Sequence, residues 1–279
     1  MAVPVPGSRA APGAGGVADP THRRLAQVGL QAAARFGFAL AGGYAVQEHG
    51  LIHRPSEDVD LFIGWDHRAD FADAVRAVVS AYEVSGYQVE VVQQFDTFAR
   101  LSVVDPMQPD RPFKVELVAN WRANPPVLMD IGPVLHPDDV VAGKLSALYT
   151  RAEPRDFLDV DAAVASGRYS REQLCLLAEQ ADAGFARHIL AEVFAMLERY
   201  PDRRLAAYGA SPEHIQALRA RFADWRAALL RPRAPWRRAR GPGRRQQPTV
   251  SPITAAGSSI GSATSRTRTP SPLPHPRSY

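Results

Sequence analysis

The sequence predicts an α+β fold: a mixed sheet with flanking helices, followed by a helical half and an unstructured tail. Three observations predict it. Short apolar or alternating runs, each of strand length, recur between residues 38 and 118. From Pro137 to Leu230 the apolar spacing is helical throughout. From Arg231 onward Pro, Ser, Thr, Gly and Arg dominate without any apolar period, the composition of a chain that cannot bury a core.

The elements follow in order. Residues 1–18 are rich in Pro, Gly and Ala and read as a disordered lead. Pro20 to Phe36 carries Leu25, Val28, Leu30, Ala33 and Ala34 at helical spacing and stops at Gly37. Phe38 to Ala41 is a short buried strand, broken by Gly42-Gly43; a short helix, Tyr44 to His49, stops at Gly50. A strand over 58–63, a helix over 68–82 and three strands over 87–93, 98–104 and 113–118 complete the first half. Helices are expected over 137–150, 154–165, 171–182, 184–199 and 212–230, punctuated by Pro201 and Pro212. The expected organisation is therefore a lead (1–18), an α/β core (19–130), a helical domain (131–230) and a disordered Arg/Pro/Ser-rich tail (231–279).

Composition narrows the function. A hydrophobic content of 46% supports a sizeable core. The chain has a net charge of +4, but the segment 231–279 holds ten arginines and no acid, so residues 1–230 carry −6. The folded part is therefore acidic, and the high overall pI is no argument for a nucleic-acid binder. A single cysteine, Cys175, excludes an internal disulfide, and its apolar helical neighbours predict a buried thiol. Neither a signal peptide nor a membrane-spanning run is visible, so the reading is a cytoplasmic protein. Only Lys114 and Lys144 among the 33 basic residues are lysine, which points to two positions that need a compact ammonium.

The chemistry concentrates in Gly42-Gly43 and Arg54-x-Ser56-x-Asp58-x-Asp60. Asp58 and Asp60 are two apart on a strand and so share a face, where they can grip one magnesium ion. Glu116, with Lys114 on the same face of its own strand, is the candidate third carboxylate: a ligand of a second ion and a general base for an attacking hydroxyl. Gly42 and Gly43 let a backbone approach phosphates closely, and Arg54 and Ser56 can contact the same phosphates. Later in the chain, Lys144-Leu145-x-Ala147-Leu148-x-x-Arg151 leads into Arg155-Asp156-x-x-Asp159. There a lysine can hold a triphosphate as a point charge while an aspartate orients it.

Together these motifs resemble the AbiEii/AbiGii toxin family of nucleotidyltransferases, within the polymerase-β-like superfamily, over roughly residues 25–200 by motif placement. The resemblance implies an NTP- and Mg²⁺-dependent transferase, with Asp58 and Asp60 as metal ligands, Gly42 and Gly43 as the phosphate turn, and Lys144 and Asp156 in the later motif. It implies an acceptor hydroxyl on tRNA, protein or a small molecule, and a cognate antitoxin. Two positions depart from the superfamily pattern: Gly43, where a serine often stands, and Glu116, where aspartate is common. Aminoglycoside nucleotidyltransferases share the front motifs, so antibiotic nucleotidylation is one alternative, and a catalytically inactive nucleotide-binding scaffold is another.

Overall fold

A computed structural model describes residues 19–51 and 56–231. The expected lead over 1–18, Arg54, and the tail beyond Arg231 lie outside the described residues. The described residues belong to one compact unit.

The chain opens with α1 (Pro20–Ala32), capped by the Asp19 carboxylate on the Thr21 amide at 2.8 Å. This helix is shorter than expected: a 3₁₀ turn (Ala34–Phe36) closes on Gly37 at φ 78°, so the last apolar residues leave the α-helical path. Then follow β1 (Ala39–Leu40), α2 (Gly42–Glu48), β2 (Asp58–Gly64), α3 (Phe71–Val84), β3 (Gln88–Gln94), β4 (Phe98–Val104) and β5 (Pro112–Asn120). A small hairpin, β6 (Val127–Met129) and β7 (Gly132–Val134), precedes the helices α4 (Pro137–Arg151), α5 (Pro154–Ala165), α6 (Arg171–Ala181), α7 (Arg187–Ala195), α8 (Asp202–Ala206) and α9 (Pro212–Leu230). The helix expected over 184–199 begins only at Arg187, after a turn in which Asp182 caps the Gly184 amide, and it ends in a 3₁₀ turn.

The seven strands form one mixed sheet in the order β3-β4-β5-β2-β1-β7-β6. β2 and β5 run parallel, whereas β4 is antiparallel to β5 and β1 is antiparallel to β2. One face is apolar: Val59, Leu61 and Ile63 of β2, Leu101 and Val103 of β4, and Val115 and Leu117 of β5 are buried. Each such side chain contributes about 1.5–3 kcal/mol on leaving water. α1 and α3 cover this face. Gly29 brings α1 so close that a Cβ there would lie 2.6 Å from a Leu61 methyl, and the Tyr82 hydroxyl of α3 donates to the Leu25 carbonyl at 3.0 Å. The period of two then places Asp58, Asp60, Lys114, Glu116, Arg100 and Ser102 together on the opposite, polar face.

The helical half joins through α4, which packs on α2, α5 and α6. Ala152, between α4 and α5, adopts a left-handed conformation at φ 53° and ends α4 through its amide on the Leu148 carbonyl. This conformation costs about 1–2 kcal/mol for a residue with a Cβ, and the Tyr200 hydroxyl secures it by donating to the Ala152 carbonyl at 2.9 Å. The sharp turn folds α5 back on α4, and the ion pairs described below depend on it.

Candidate active site

Register assembles the acidic cluster. In the parallel pair, Asp58 lies opposite Lys114 and Asp60 opposite Glu116; in the antiparallel pair, Arg100 lies opposite Glu116. Carboxylate oxygens of Asp58, Asp60 and Glu116 come within 4.8 Å of one another. The Lys114 ammonium bridges Asp58 Oδ2 at 2.6 Å and Glu116 Oε1 at 3.3 Å. Arg100 holds the same Glu116 oxygen through Nε at 2.9 Å and Nη2 at 2.8 Å.

The three acids are electrostatically unequal. Burial alone would raise Asp58, but the hydrogen bond and charge of Lys114, aided by Arg155 and Lys144, hold it below the usual carboxylate range. Asp60 moves the other way. Burial first, then the charges of Asp58 and Glu116, push it up to about 7 against the weaker pull of Lys144 and Lys114.

The glycines are needed for steric reasons. Gly42 opens α2 at φ 59°, and a Cβ there would lie 1.6 Å from Asp60 Oδ2. The Ala41 amide donates to the Asp60 carbonyl at 2.8 Å, so turn and carboxylate are fixed to each other. A Cβ on Gly43 would lie 2.3 Å from Ser56 Oγ, so the serine fills the space that a side chain at 43 would take. Ser56 is buried, with its hydroxyl 3.3 Å from the Asp58 carbonyl and 3.4 Å from Asp58 Oδ1. Its carbonyl accepts from the Tyr44 hydroxyl at 3.3 Å, and that hydroxyl also meets His22 Nδ1 at 2.6 Å. α2 is only two turns long, so close backbone approach matters here more than a helix dipole.

From the helical half, Lys144 on α4 pairs with Asp159 Oδ2 on α5 at 2.9 Å, both largely buried. Asp156 takes Arg151 in a two-pronged contact, Nε at 2.9 Å and Nη2 at 2.7 Å, and accepts the Glu153 amide at 3.0 Å. The aspartate that orients Lys144 is thus Asp159, while Asp156 anchors Arg151 and closes the capping box of α5. Arg155 approaches Glu57, beside Asp58, at 3.8 Å. The charges of Lys144 and Arg155 both help to lower Asp58, so these two cations of α4 and α5 face the acidic cluster.

A family description, nucleotidyl transferase AbiEii toxin of a type IV toxin–antitoxin system, matches residues 25–253. The chain belongs to the AbiEii nucleotidyltransferase toxin family. Among solved structures, this AbiEii-family chain is similar to the nucleotidyltransferase toxin MenT4 of Mycobacterium tuberculosis, at 18% identity and a TM-score of 0.45, covering 75% of this chain and 82% of that one. It is also similar to JHP933 of Helicobacter pylori, at 16% identity and a TM-score of 0.44, covering 75% and 92% of the two chains. No curated protein matches the chain.

Of the site residues expected in this AbiEii-family member, Gly42, Gly43, Ser56, Asp58, Asp60 and Glu116 come together directly, with Lys144 on the rim. Asp156 stands one contact back, behind Arg151. Two residues that sequence reasoning passed over, Arg100 and Tyr44, complete the site. Arg100 carried one signal: it alternates with the buried Ala99 and Leu101 and so had to lie on the polar face of its strand.

The Lys144–Asp159 pair supplies a stability prediction. Lys144→Met strips a buried carboxylate of its ammonium, a loss that costs about 3–5 kcal/mol in such settings. Denaturant unfolding should show that loss, and adding Asp159→Leu to the same chain should recover most of it. A single variant as stable as the wild type would show that the pair adds nothing.

Proposed function

We propose that this AbiEii-family chain moves a nucleoside monophosphate from an NTP to an acceptor hydroxyl and releases pyrophosphate. The observation that carries the reading is the convergence of Asp58, Asp60 and Glu116 from matched register positions, against a glycine turn that touches one of them. Asp58, Asp60 and Glu116 are the residues that would hold magnesium, and an all-oxygen donor set fits a hard divalent cation. When bound, such an ion supplies charge neutralisation at the phosphate being transferred.

The chain's own groups supply positioning. Gly42 and Gly43 let the backbone lie directly against Asp60 and Ser56, and the Ser56 hydroxyl, bonded only at long range, can turn to a phosphate oxygen. Lys144, held by Asp159, and Arg151, held by Asp156, offer cationic charge to the triphosphate. The acceptor oxygen forms its bond to the α-phosphorus as the bond from that phosphorus to the bridging oxygen breaks. Glu116 takes the hydroxyl proton through the oxygen that Arg100 and Lys114 do not hold. NTP pools place this activity in the cytoplasm, and membership of a toxin–antitoxin family implies a cognate antitoxin. Among the described residues, no helix is long and apolar enough to cross a membrane.

The direct test follows pyrophosphate release by the full chain with each NTP and Mg²⁺, against total RNA, protein extract or an aminoglycoside. Release that requires Mg²⁺ and one acceptor class supports the reading and names the acceptor. Nucleotide binding without release from any combination overturns it in favour of a binding scaffold.

The glycine niche gives a second test of the same geometry. Gly43→Ser alone overpacks against Ser56, which typically costs ~1–3 kcal/mol of stability; turning the Ser56 hydroxyl away from the nucleotide forfeits about one hydrogen bond, so KM for NTP should rise roughly tenfold. Gly43→Ser with Ser56→Gly moves the hydroxyl to the other side of the niche and should restore KM. Equal KM values in the single and double variants would show that Ser56 does not serve the nucleotide.

A further inference from the structure

The Lys114 ammonium lies between Asp58 and Glu116, at 2.6 Å and 3.3 Å from one oxygen of each, and Arg100 closes on the same Glu116 oxygen at 2.8–2.9 Å. One oxygen of each of these two carboxylates is therefore already committed to a cation that the chain itself carries. Register sets these pairings: Lys114 stands directly opposite Asp58 on the neighbouring strand, and Arg100 directly opposite Glu116.

A divalent ion bridging those same two oxygens would need contacts at about 2.0–2.1 Å. It would then sit against the ammonium, where like charges a few ångströms apart repel. The oxygens left free of these cations on the side of the glycine turn are Asp60 Oδ2, against Gly42 itself, and Asp58 Oδ1, 3.4 Å from the Ser56 hydroxyl that fills the niche beside Gly43. They offer a seat for one ion.

The residue type fits this position. Thirty-one of the 33 basic residues are arginine, yet a lysine stands here. A compact ammonium can enter the gap between two carboxylates as a point charge, as a metal ion does, whereas a planar guanidinium would spread over them.

We propose that the Lys114 ammonium replaces the second divalent cation, so that the site operates with a single ion held by Asp58 and Asp60, and the second oxygen of Glu116 is left to take the acceptor proton. In this arrangement the lysine lies beside Glu116, on the acceptor side, and stabilises negative charge developing on the attacking oxygen. The inference rests on the nucleotidyltransferase reading given above.

The test counts Mn²⁺ bound per chain, from the electron paramagnetic resonance signal of free Mn²⁺, for the full-length protein saturated with an NTP analogue carrying a methylene between the α- and β-phosphorus. The wild type should bind one ion, and Lys114→Met should bind two. Lys114→Gln, closer in polarity, serves if the methionine variant does not fold. Two ions in the wild type overturn the proposal, as does a single ion in a folded Lys114 variant. Asp60→Asn separates the two levels. If Asp60→Asn transfers nucleotide as well as the wild type, the underlying reading fails; if Asp60→Asn is inactive while the wild type binds two ions, only the role given to Lys114 fails.

Discussion

Asp60→Asn is expected to lower nucleotidyl transfer by on the order of 10³-fold, the scale at which removing one electrostatic contact to a transition state is felt, while making the protein more stable above neutral pH. Both effects come from one cause. Burial and the flanking carboxylates push Asp60 up to about 7, so between the ordinary carboxylate range and about pH 7 the folded chain keeps a proton that the unfolded chain has lost. Stability from this group therefore falls as pH rises through that window and levels off above it. Asparagine cannot ionise, so the variant loses that slope. Melting temperatures of both proteins between pH 5 and 8.5 check it: the wild type should fall relative to Asp60→Asn. Mn²⁺ added at pH 8 should raise the wild type and leave the variant where it was. Parallel pH profiles would mean that Asp60 lies outside the electrostatic cluster.

Gly42→Ala should be nearly as damaging to activity, for reasons of space. The new Cβ would lie 1.6 Å from Asp60 Oδ2 and 2.5 Å from its Cγ. The strand cannot withdraw, because the Asp60 carbonyl holds the Ala41 amide. The residue would also keep φ near 59°, a left-handed conformation that costs about 1–2 kcal/mol with a Cβ. With the collision added, a loss of roughly 2–4 kcal/mol in stability is expected, together with a ~100-fold or greater loss of transfer. Gly50→Ala is the control: φ is 64° and nothing lies within 4 Å of its Cβ. It should show the conformational cost alone, with transfer unchanged. If the two variants behave alike, the contact between Gly42 and Asp60 has no functional weight.

The polar face was legible because β2, β4 and β5 alternate cleanly, and a period of two needs no tertiary information to place Asp58 with Asp60 or Lys114 with Glu116. Register was not legible. Which β4 residue lies opposite Glu116 depends on the turn over 105–111, and so Arg100 went unremarked. The β6–β7 hairpin was missed because its strands are three residues long, one carries Pro133, and Pro125 and Pro126 precede the other, a composition that reads as loop. In the helical half, Asp156 and Asp159 share a face at i,i+3, and the family resemblance singled out Asp156. The left-handed turn at Ala152 assigns them to different partners, Arg151 and Lys144, and a non-glycine residue in that conformation leaves no mark in the sequence. Gly42 and Gly43 were read as a phosphate turn from their place between a strand and a helix and from the family resemblance, but the steric need for each depends on where Asp60 and Ser56 point across the sheet.

One measurement goes straight to the chemistry assigned to the carboxylate cluster. The full chain is incubated with Mg²⁺, total RNA or protein extract, and the same NTP labelled either at the α-phosphate or at the γ-phosphate, beside Asp60→Asn. Label from the α-phosphate should become fixed to an acceptor, label from the γ-phosphate should leave as pyrophosphate, and the variant should do neither. Fixation of the γ-label, or equal labelling by wild type and Asp60→Asn, would contradict the account.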